Sequence, residues 1–480
     1  MPSPITASSS IDVQGMVSNL MSFERRPLTQ MQTEAKKIDT KISAYGKLQS
    51  QVAAFRDAAA TLSRLETWRS VKGASADASA VEVTASAGAG ASQHMVAVQQ
   101  LAQSQTVSSG SYASSAAVVG GGTVRIQLGT QPTGPNSFTP DGARPEIAVA
   151  VAAGATLADV RDAINAADAG VRASIVRDGD QVRLFVTGTE SGGNQAFRMQ
   201  VDDADGGSTD AAGLSAIAFD PVAAVGAGKN LSLVRQAVDS EYTIDGVALT
   251  GRSNRISGAM DGIDLVLKKV TAAEVQVDVT VDAEALKAST QKFVDAYNGL
   301  NKLLAEQTRY DDATKTAGAL QGDRTAVSIL GQVRNVVRET VSGGTLSKLA
   351  DVGITLQRDG SLSLSSSGFD SATVDPSKLE KLFAAPGTGG SVTAPDRGLM
   401  LRFKTLGDSL LASDGSVQTA TDSWAARLKA NKTRQAAFEV RMTDVEKRLL
   451  RQYSSLDAQL AAAQQSSAAL ASALGALPKT

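Results

Sequence analysis

No cysteine occurs in the 480 residues of this chain, so disulfides and thiolate chemistry are excluded. Histidine is almost as scarce. His94 stands alone, which removes histidine-based triads and dyads together with histidine-rich zinc sites. Only two tryptophans are present, and both Trp68 and Trp424 fit core anchors better than binding residues. The first ten residues lack a basic segment followed by an apolar run, so no signal peptide is expected. The uncharged stretch 458–478 is long enough to cross a bilayer, but Gln459, Gln464, Gln465, Ser466 and Ser467 interrupt it. It is expected to be an amphipathic helix for a protein partner and not a membrane span.

Proline and glycine are also missing from residues 416–474. A continuous helix of that length spans about 90 Å. Its apolar stripe runs through Trp424, Leu428, Asn431, Gln435, Phe438, Met442, Val445 and Leu449, in steps of four and three. One extra step of four leads on to Tyr453, Leu456, Leu460, Ala463, Ser467, Leu470, Leu474 and Leu477. Near the front of the chain a short apolar helix is expected through Ile11, Val13, Met16, Val17, Leu20 and Met21, after a loose tip at 1–10. Pro27 then restarts the chain as a long helix to about Trp68, proline being tolerated in a first turn. Its stripe is Leu28, Met31, Ala35, Ile38, Ile42 and Tyr45, then, after an extra step of three, Leu48, Val52, Phe55, Ala59 and Leu62. Seven-residue seams bury against other helices, and slips of three or four residues locally overwind or unwind them. If the slips of the two end helices lie at one level, Tyr45 sits opposite Tyr453 and the pair marks a joint between a rigid bundle and a mobile leg. Asn431 and Gln435 interrupt the seam with polar groups, which either fix register or mark a face that has turned to solvent.

Between the helical ends the pattern alternates. Strands are expected at 81–84, 95–98, 123–128, 147–151, 171–177, 181–187, 241–244, 247–250, 264–269 and 274–281, with a capped helix near 154–165. Residues 202–230, rich in Gly, Ala and Asp, read as loop. Further helices are expected after Asp282, near 326–341, after Asp375-Pro376 and at 399–411, with a small hairpin around Asp359-Gly360. Residues 1–72 hold 10 Lys/Arg against 6 Asp/Glu, whereas 73–282 hold 13 against 23, so the middle is acidic and the flanks mildly basic. The net charge of −2 excludes a globally basic nucleic-acid binder. The fold class is therefore α+β multidomain, a long antiparallel coiled-coil or helical-bundle leg built from both termini with β-rich head domains inserted between them. The expected division is 1–45 with 450–480 as terminal leg, 46–72 with 283–449 as helical bundle, 73–115 with 225–282 as a β-rich domain, and 116–224 as a second β-rich domain inserted in it.

Two segments invite a ligand reading and fail it. Gly228-Lys229 suggests a phosphate loop, but Ala223 stands where the first glycine belongs and Asn230 where the Mg²⁺-binding Ser/Thr belongs. The run Asp202-Asp203-Ala204-Asp205-Gly206-Gly207 resembles half a calcium loop, without a ligand at Gly207 or a closing Glu at Leu214. No cofactor, metal or catalytic residue is expected.

The stretch Ser10-Ile11-Asp12-Val13 through Phe23-Glu24-Arg25-Arg26-Pro27-Leu28 resembles the opening of the flagellar filament cap family, also called flagellar hook-associated protein 2. So does Glu439-Val440-Arg441-Met442 through Arg448-Leu449 to Gln452-Tyr453 and Leu456-Asp457, and the block 154–165 is similar to the "IN" motif of flagellin-related proteins. The resemblance implies a ring of five or six copies on the tip of a growing bacterial filament, exported unfolded by the flagellar type III route. Flagellin, hook–filament junction proteins and an export chaperone would be its partners. Its acidic head would close the channel, while the helical legs reach the filament end and hold incoming flagellin. The assembly surface is then expected at the helical seams: Ile11, Val13, Met16, Val17, Leu20, Met21, Leu28, Met31, Ile38, Ile42 and Tyr45 at the front, and Phe438, Met442, Val445, Leu449, Tyr453, Leu456, Leu460, Leu470, Leu474 and Leu477 at the end. A junction or filament subunit, or an adhesin binding host glycans, is the alternative.

Overall fold

The computed structural model describes residues 12–313 and 315–475. The tip at 1–10, Ile11 and Leu477 lie outside them. The fold is α+β and multidomain, with two compact units: residues 1–68 with 284–480, whose described part is mainly helical and carries the expected small hairpin at Ile354–Leu356 and Leu362–Leu364, and residues 69–283, which are β-rich.

The helical unit opens with α1 (Val13–Glu24), capped by the Asp12 carboxylate, which accepts from the Gly15 N–H at 2.8 Å. After Arg25 the chain continues as α2 (Arg26–Leu62), with Pro27 in its first turn. The turn α3 (Leu65–Trp68) closes this limb, and Trp68 donates its indole N–H to the Leu62 carbonyl at 2.8 Å. A later helix, α4 (Leu157–Ala166), belongs to the β-rich unit. The helical unit resumes with α5 (Ala283–Thr308) and α6 (Arg324–Arg338), then α7 (Ser366–Ala372) and α8 (Pro376–Ala384). It ends with α9 (Leu399–Leu411) and α10 (Ser416–Gly475). The connection from α9 to α10 depends on Gly415, where a Cβ would meet the Ser409 and Leu410 carbonyl oxygens at 2.6 Å.

The core of this unit is aromatic. Phe55 lies 5.7 Å from Phe293, 6.3 Å from Tyr297 and 5.4 Å from Phe403 between ring centroids, and all four are fully buried. Trp68 stacks on Phe383 at 4.8 Å. The second half of the α2 stripe, Leu48, Val52, Phe55, Ala59 and Leu62, is thus committed to the bundle, with every member at most 1% exposed.

The β-rich unit holds two separate cores. One lies between a five-stranded antiparallel sheet (Val71–Ser75, Val275–Val281, Ser92–Gln100, Ser240–Ile244, Val247–Gly251 in spatial order) and a three-stranded one (Arg255–Met260, Ile263–Leu267, Val81–Ala85). Alternation puts Val96, Val98, Tyr242, Ile244, Val277 and Val279 inward to meet Val81, Val83 and Leu265. The other core joins a six-stranded sheet to a four-stranded one, and α4 packs into it through Leu157, Val160 and Ile164. Thr156 and Asp159 form a capping box at the start of α4.

The segment 202–230, expected to be loop, is structured. It carries the one-turn helix Gly213–Ile217 and the strands Phe219–Val225 and Ala227–Lys229. Leu214, Ile217 and Phe219 are fully buried there. Small residues hide this from a period count because the three apolar anchors are irregularly spaced. Glycine also misleads at 120–122. The strand Val118–Thr130 runs straight through, with register shifts against Ile147–Thr156. A Cβ on Gly121 would come within 2.6 Å of the Ala153 Cα, so only glycine permits this strand approach.

Candidate assembly surface

Two helical seams meet along α10. At the upper one, Met31 and Lys41 of α2 face Gln435 and Trp424. The Gln435 side-chain amide donates to the Met31 backbone carbonyl at 3.2 Å and to the Asn431 side-chain Oδ1 at 2.5 Å. Asn431 is only 3% exposed. The polar pair therefore fixes register and does not mark a solvent face: a shift along the seam would leave buried amide groups unpaired. Lys41 Nζ lies 4.2 Å from the Trp424 ring centroid and the Arg427 guanidinium 4.6 Å from it. Tyr45 donates to the Asp323 carboxylate at 2.7 Å. Burial, and then that hydrogen bond, push its phenol well above the usual range.

This register overturns the expected pairing of Tyr45 with Tyr453. Tyr45 lines a cavity with Ala420 and Trp424. The helix from Ala420 to Tyr453 is about 50 Å long, so the joint argued from coincident slips does not exist. The physical reason is that a seven-residue stripe matches itself in several registers, whereas hydrogen bonds and the Trp424 clamp select one.

At the lower seam α1 packs on α10. Val17, Met21 and Met442 are buried, and Val13, Phe438, Val445, Leu449, Leu450 and Tyr453 pack half-buried around them. Arg25 reaches Glu446 at 3.0 Å. An exposed pair of this kind contributes little on its own, but it falls in line with the Met31–Gln435 register. The slip between Leu449 and Tyr453 is absorbed within this cluster, since Leu450 joins it as well as Leu449.

The expected seam residues thus fall into three groups. Val17, Met21, Ile38, Tyr45 and Met442 are buried. Val13, Leu28, Met31, Ile42, Phe438, Val445, Leu449 and Tyr453 are half-buried. Met16, Leu20, Leu456, Leu460 and Leu470 are exposed, the last at 66%, and Leu474 lies in the final turn of α10. Phe23, also exposed at 59%, joins Met16 and Leu20 on the free side of α1. Sequence reasoning missed Lys41, Asp323 and Arg427. The signal for Arg427 was its place one turn after Trp424 on a seam; nothing in the sequence brings Asp323 to Tyr45.

The ligand-like segments are occupied by protein groups. Lys229 donates to the Asn136 side chain at 2.7 Å and to the Pro221 carbonyl at 3.2 Å. Asp203 accepts from the Ser215 N–H at 2.8 Å. Among the described residues no cluster of three or more His, Asp or Glu side chains is placed to hold a metal ion. No described helix is long and apolar enough to cross a membrane. His94 Nδ1 sits 2.8 Å from Asp245, and that hydrogen bond, then the Met95 N–H, hold the Asp245 carboxyl below its ordinary range.

Comparison with known proteins covers both units. Residues 237–465 match the family "flagellar hook-associated protein 2 C-terminus", residues 9–105 match its N-terminus, and residues 131–190 match the "flagellin hook IN motif". The B-type flagellar hook-associated protein 2 of Pseudomonas aeruginosa is 30% identical over 466 residues, 94% of this chain and 92% of that protein. The flagellar hook-associated protein 2 of Escherichia coli K12 is 28% identical over 437 residues, 88% of this chain and 86% of its own length. Among solved structures, the D1-D2-D3 domains of the flagellar cap protein FliD from Escherichia coli align with a TM-score of 0.62 at 27% identity, covering 80% of this chain and 99% of that one. The chain belongs to the flagellar hook-associated protein 2 family.

Proposed function

We propose that this member of the flagellar hook-associated protein 2 family forms the homo-oligomeric cap at the distal tip of the bacterial flagellar filament. There it retains exported flagellin and promotes its polymerisation. The observation that carries the reading is the family match along both units, joined to an apolar stripe at each helical end whose outer members are exposed: Met16, Leu20 and Phe23 on α1, and Leu456, Leu460 and Leu470 on α10. Such stripes stay soluble in one copy yet lose free energy when covered by another helix. The role is structural, assembly without catalysis.

The finer reading has the same basis. The ring holds five or six copies, and the chain leaves the cell unfolded by the type III route, with an export chaperone and the hook–filament junction proteins as further partners. The absence of cysteine suits passage as an unfolded chain. Of the expected seams, the exposed members Met16 and Leu20 on α1 and Leu456, Leu460 and Leu470 on α10 are the assembly surface, the buried and half-buried members being covered within one chain. A four-part division with one β-rich domain set inside another draws support from the two separate cores of the β-rich unit, but Val107 and Leu231 join the inserted core, so its bounds lie outside 116–224. The test is negative-stain microscopy of the purified protein alongside a strain producing it without residues 454–480. Closed rings from the intact chain, and shed monomeric flagellin with poor swimming from the truncated strain, are expected. Normal filaments on the truncated strain contradict the capping role.

A further inference from the structure

A cavity of about 400 Å3 lies in the helical unit where the start of α6 faces α2 and α10. Three cations line it, Lys41, Arg324 and Arg427, with Trp424, Gln321 and Ser423 between them. Two of the cations flank the Trp424 indole, at 4.2 and 4.6 Å. The single carboxylate in the wall, Asp323, is already engaged. It accepts from the Tyr45 hydroxyl at 2.7 Å and from the Thr325 and Ala326 N–H groups at 3.0 and 3.2 Å, as the cap of α6.

Some cations of this unit are paired, such as Arg25 with Glu446, Lys287 with Asp370, Arg402 with Glu339 and Lys404 with Asp408, while Lys36, Lys47 and Arg434, among others, make no ion pair among the described residues. Lys41, Arg324 and Arg427 make no such ion pair among the described residues. An unpaired cation is ordinary on a solvated surface; what sets these three apart is that they line one concavity, where their fields add. The positive end of the α6 dipole adds to that field. The size of the cavity is that of sites for drug-sized ligands, about 300–1,000 Å3, more than one inorganic phosphate requires. The Lys41 methylenes and the part of Trp424 that lines the cavity supply apolar surface beside the charges.

We propose that this cavity docks an acidic polypeptide segment, whose Asp or Glu carboxylates pair with Lys41, Arg324 and Arg427 around Trp424. The inference goes beyond the capping role and stands whether or not the ring forms, because it is read on the isolated chain. Trp68, the other tryptophan, is 1% exposed and stacked on Phe383, so Trp424 reports the cavity by fluorescence. Octaglutamate titrated into the full-length protein at low salt gives a saturable change in that signal, weakened as salt rises. The doubly substituted Arg324→Gln/Arg427→Gln protein binds roughly tenfold or more weakly, each charged hydrogen bond being the stronger kind. Arg441→Gln, which removes a cation lying over Phe438 elsewhere on α10, binds as the parent does. A thermal melt of each variant confirms that the helical unit is intact. Absence of a saturable signal, unchanged affinity in the double variant, or an equal response to inorganic phosphate overturns the proposal.

Discussion

One helix presents two fates for the same pattern. Up to Tyr453, α10 lays its stripe on α2 and then on α1, and its stripe residues from Asn431 to Tyr453 are buried or half-buried. From 454 to 472 the stripe continues in step, yet Leu456, Leu460 and Leu470 are exposed. The helix persists there because Ala and Gln keep its intrinsic propensity high, not because anything buries it. A heptad stripe therefore says that a helix will be covered and is silent on which chain covers it. In the first stretch the partner lies in the same molecule; in the second, on the proposed function, it arrives with assembly.

The largest effect should come from the fully covered side of that comparison. Phe55→Ala removes the ring that touches Phe293, Tyr297 and Phe403, and should destabilise the helical unit by about 3–5 kcal/mol. Chemical denaturation followed by helix signal measures it. A loss below about 1 kcal/mol would mean that the aromatic cluster is not the core.

Alkali sharpens the contrast next. Burial and Asp323 raise the Tyr45 phenol pKa in the fold, while the unfolded chain titrates near its ordinary value of about 10. Below about pH 10 both states hold the proton and stability does not vary with pH through this group. Above it the unfolded state alone loses the proton, so stability falls by about 1.4 kcal/mol per pH unit until the folded pKa is reached. Buried Tyr297 adds a slope of the same sign. Tyr45→Phe should lessen the alkaline slope measurably between pH 10 and 11, in paired melts against the parent.

Smaller again is the register lock. Gln435→Leu removes the donor to the Met31 carbonyl and to Asn431, leaving buried acceptors short of a partner. About 1 kcal/mol should be lost, with faster amide exchange along the facing turns of α2 and α10. Unchanged exchange would show that Trp424 and its two flanking cations hold the register without the amides.

Much of this was legible in the sequence, and the boundary between legible and illegible has physical causes. The run 416–474 without proline or glycine is α10 almost to the residue, and Asp375-Pro376 opens α8 as a cap and first turn should. Alternation located most strands of the β-rich unit but missed Ala196–Asp203, although Phe197, Met199 and Val201 recur on its buried face. It failed at 202–230, where Leu214, Ile217 and Phe219 anchor a segment of small and acidic residues. In the assembly surface the stripe was legible and the register was not. Identity of period is shared by every seven-residue shift, while the choice among shifts rests on single polar contacts such as Gln435 with Met31. Asp323 was out of reach for the same reason: its partner Tyr45 is fixed by tertiary packing, not by spacing.

The smallest effect on the isolated protein is the one that best divides the two stretches of α10. Leu460 is 40% exposed, so Leu460→Ala removes side-chain surface that is partly hydrated already, and alanine is the better helix former by a few tenths of a kcal/mol at most. The thermal midpoint of the purified chain should therefore stay within error of the parent. Val17→Ala, a smaller truncation at a position 3% exposed in the α1–α10 cluster, should lower it and speed exchange in α1. In the cell the order reverses. If the distal stripe is covered only by neighbouring copies or by filament subunits, Leu460→Ala combined with Leu456→Ala strips the surface on which that packing depends. Filaments should then be short and flagellin should appear in the medium, although the protein is as stable as before. Should the double variant melt lower than the parent, the distal stripe is already buried within one molecule and the contrast between the two stretches fails. Should it melt normally and still build full-length filaments, the distal stripe is solvated throughout, and assembly runs through the exposed face of α1.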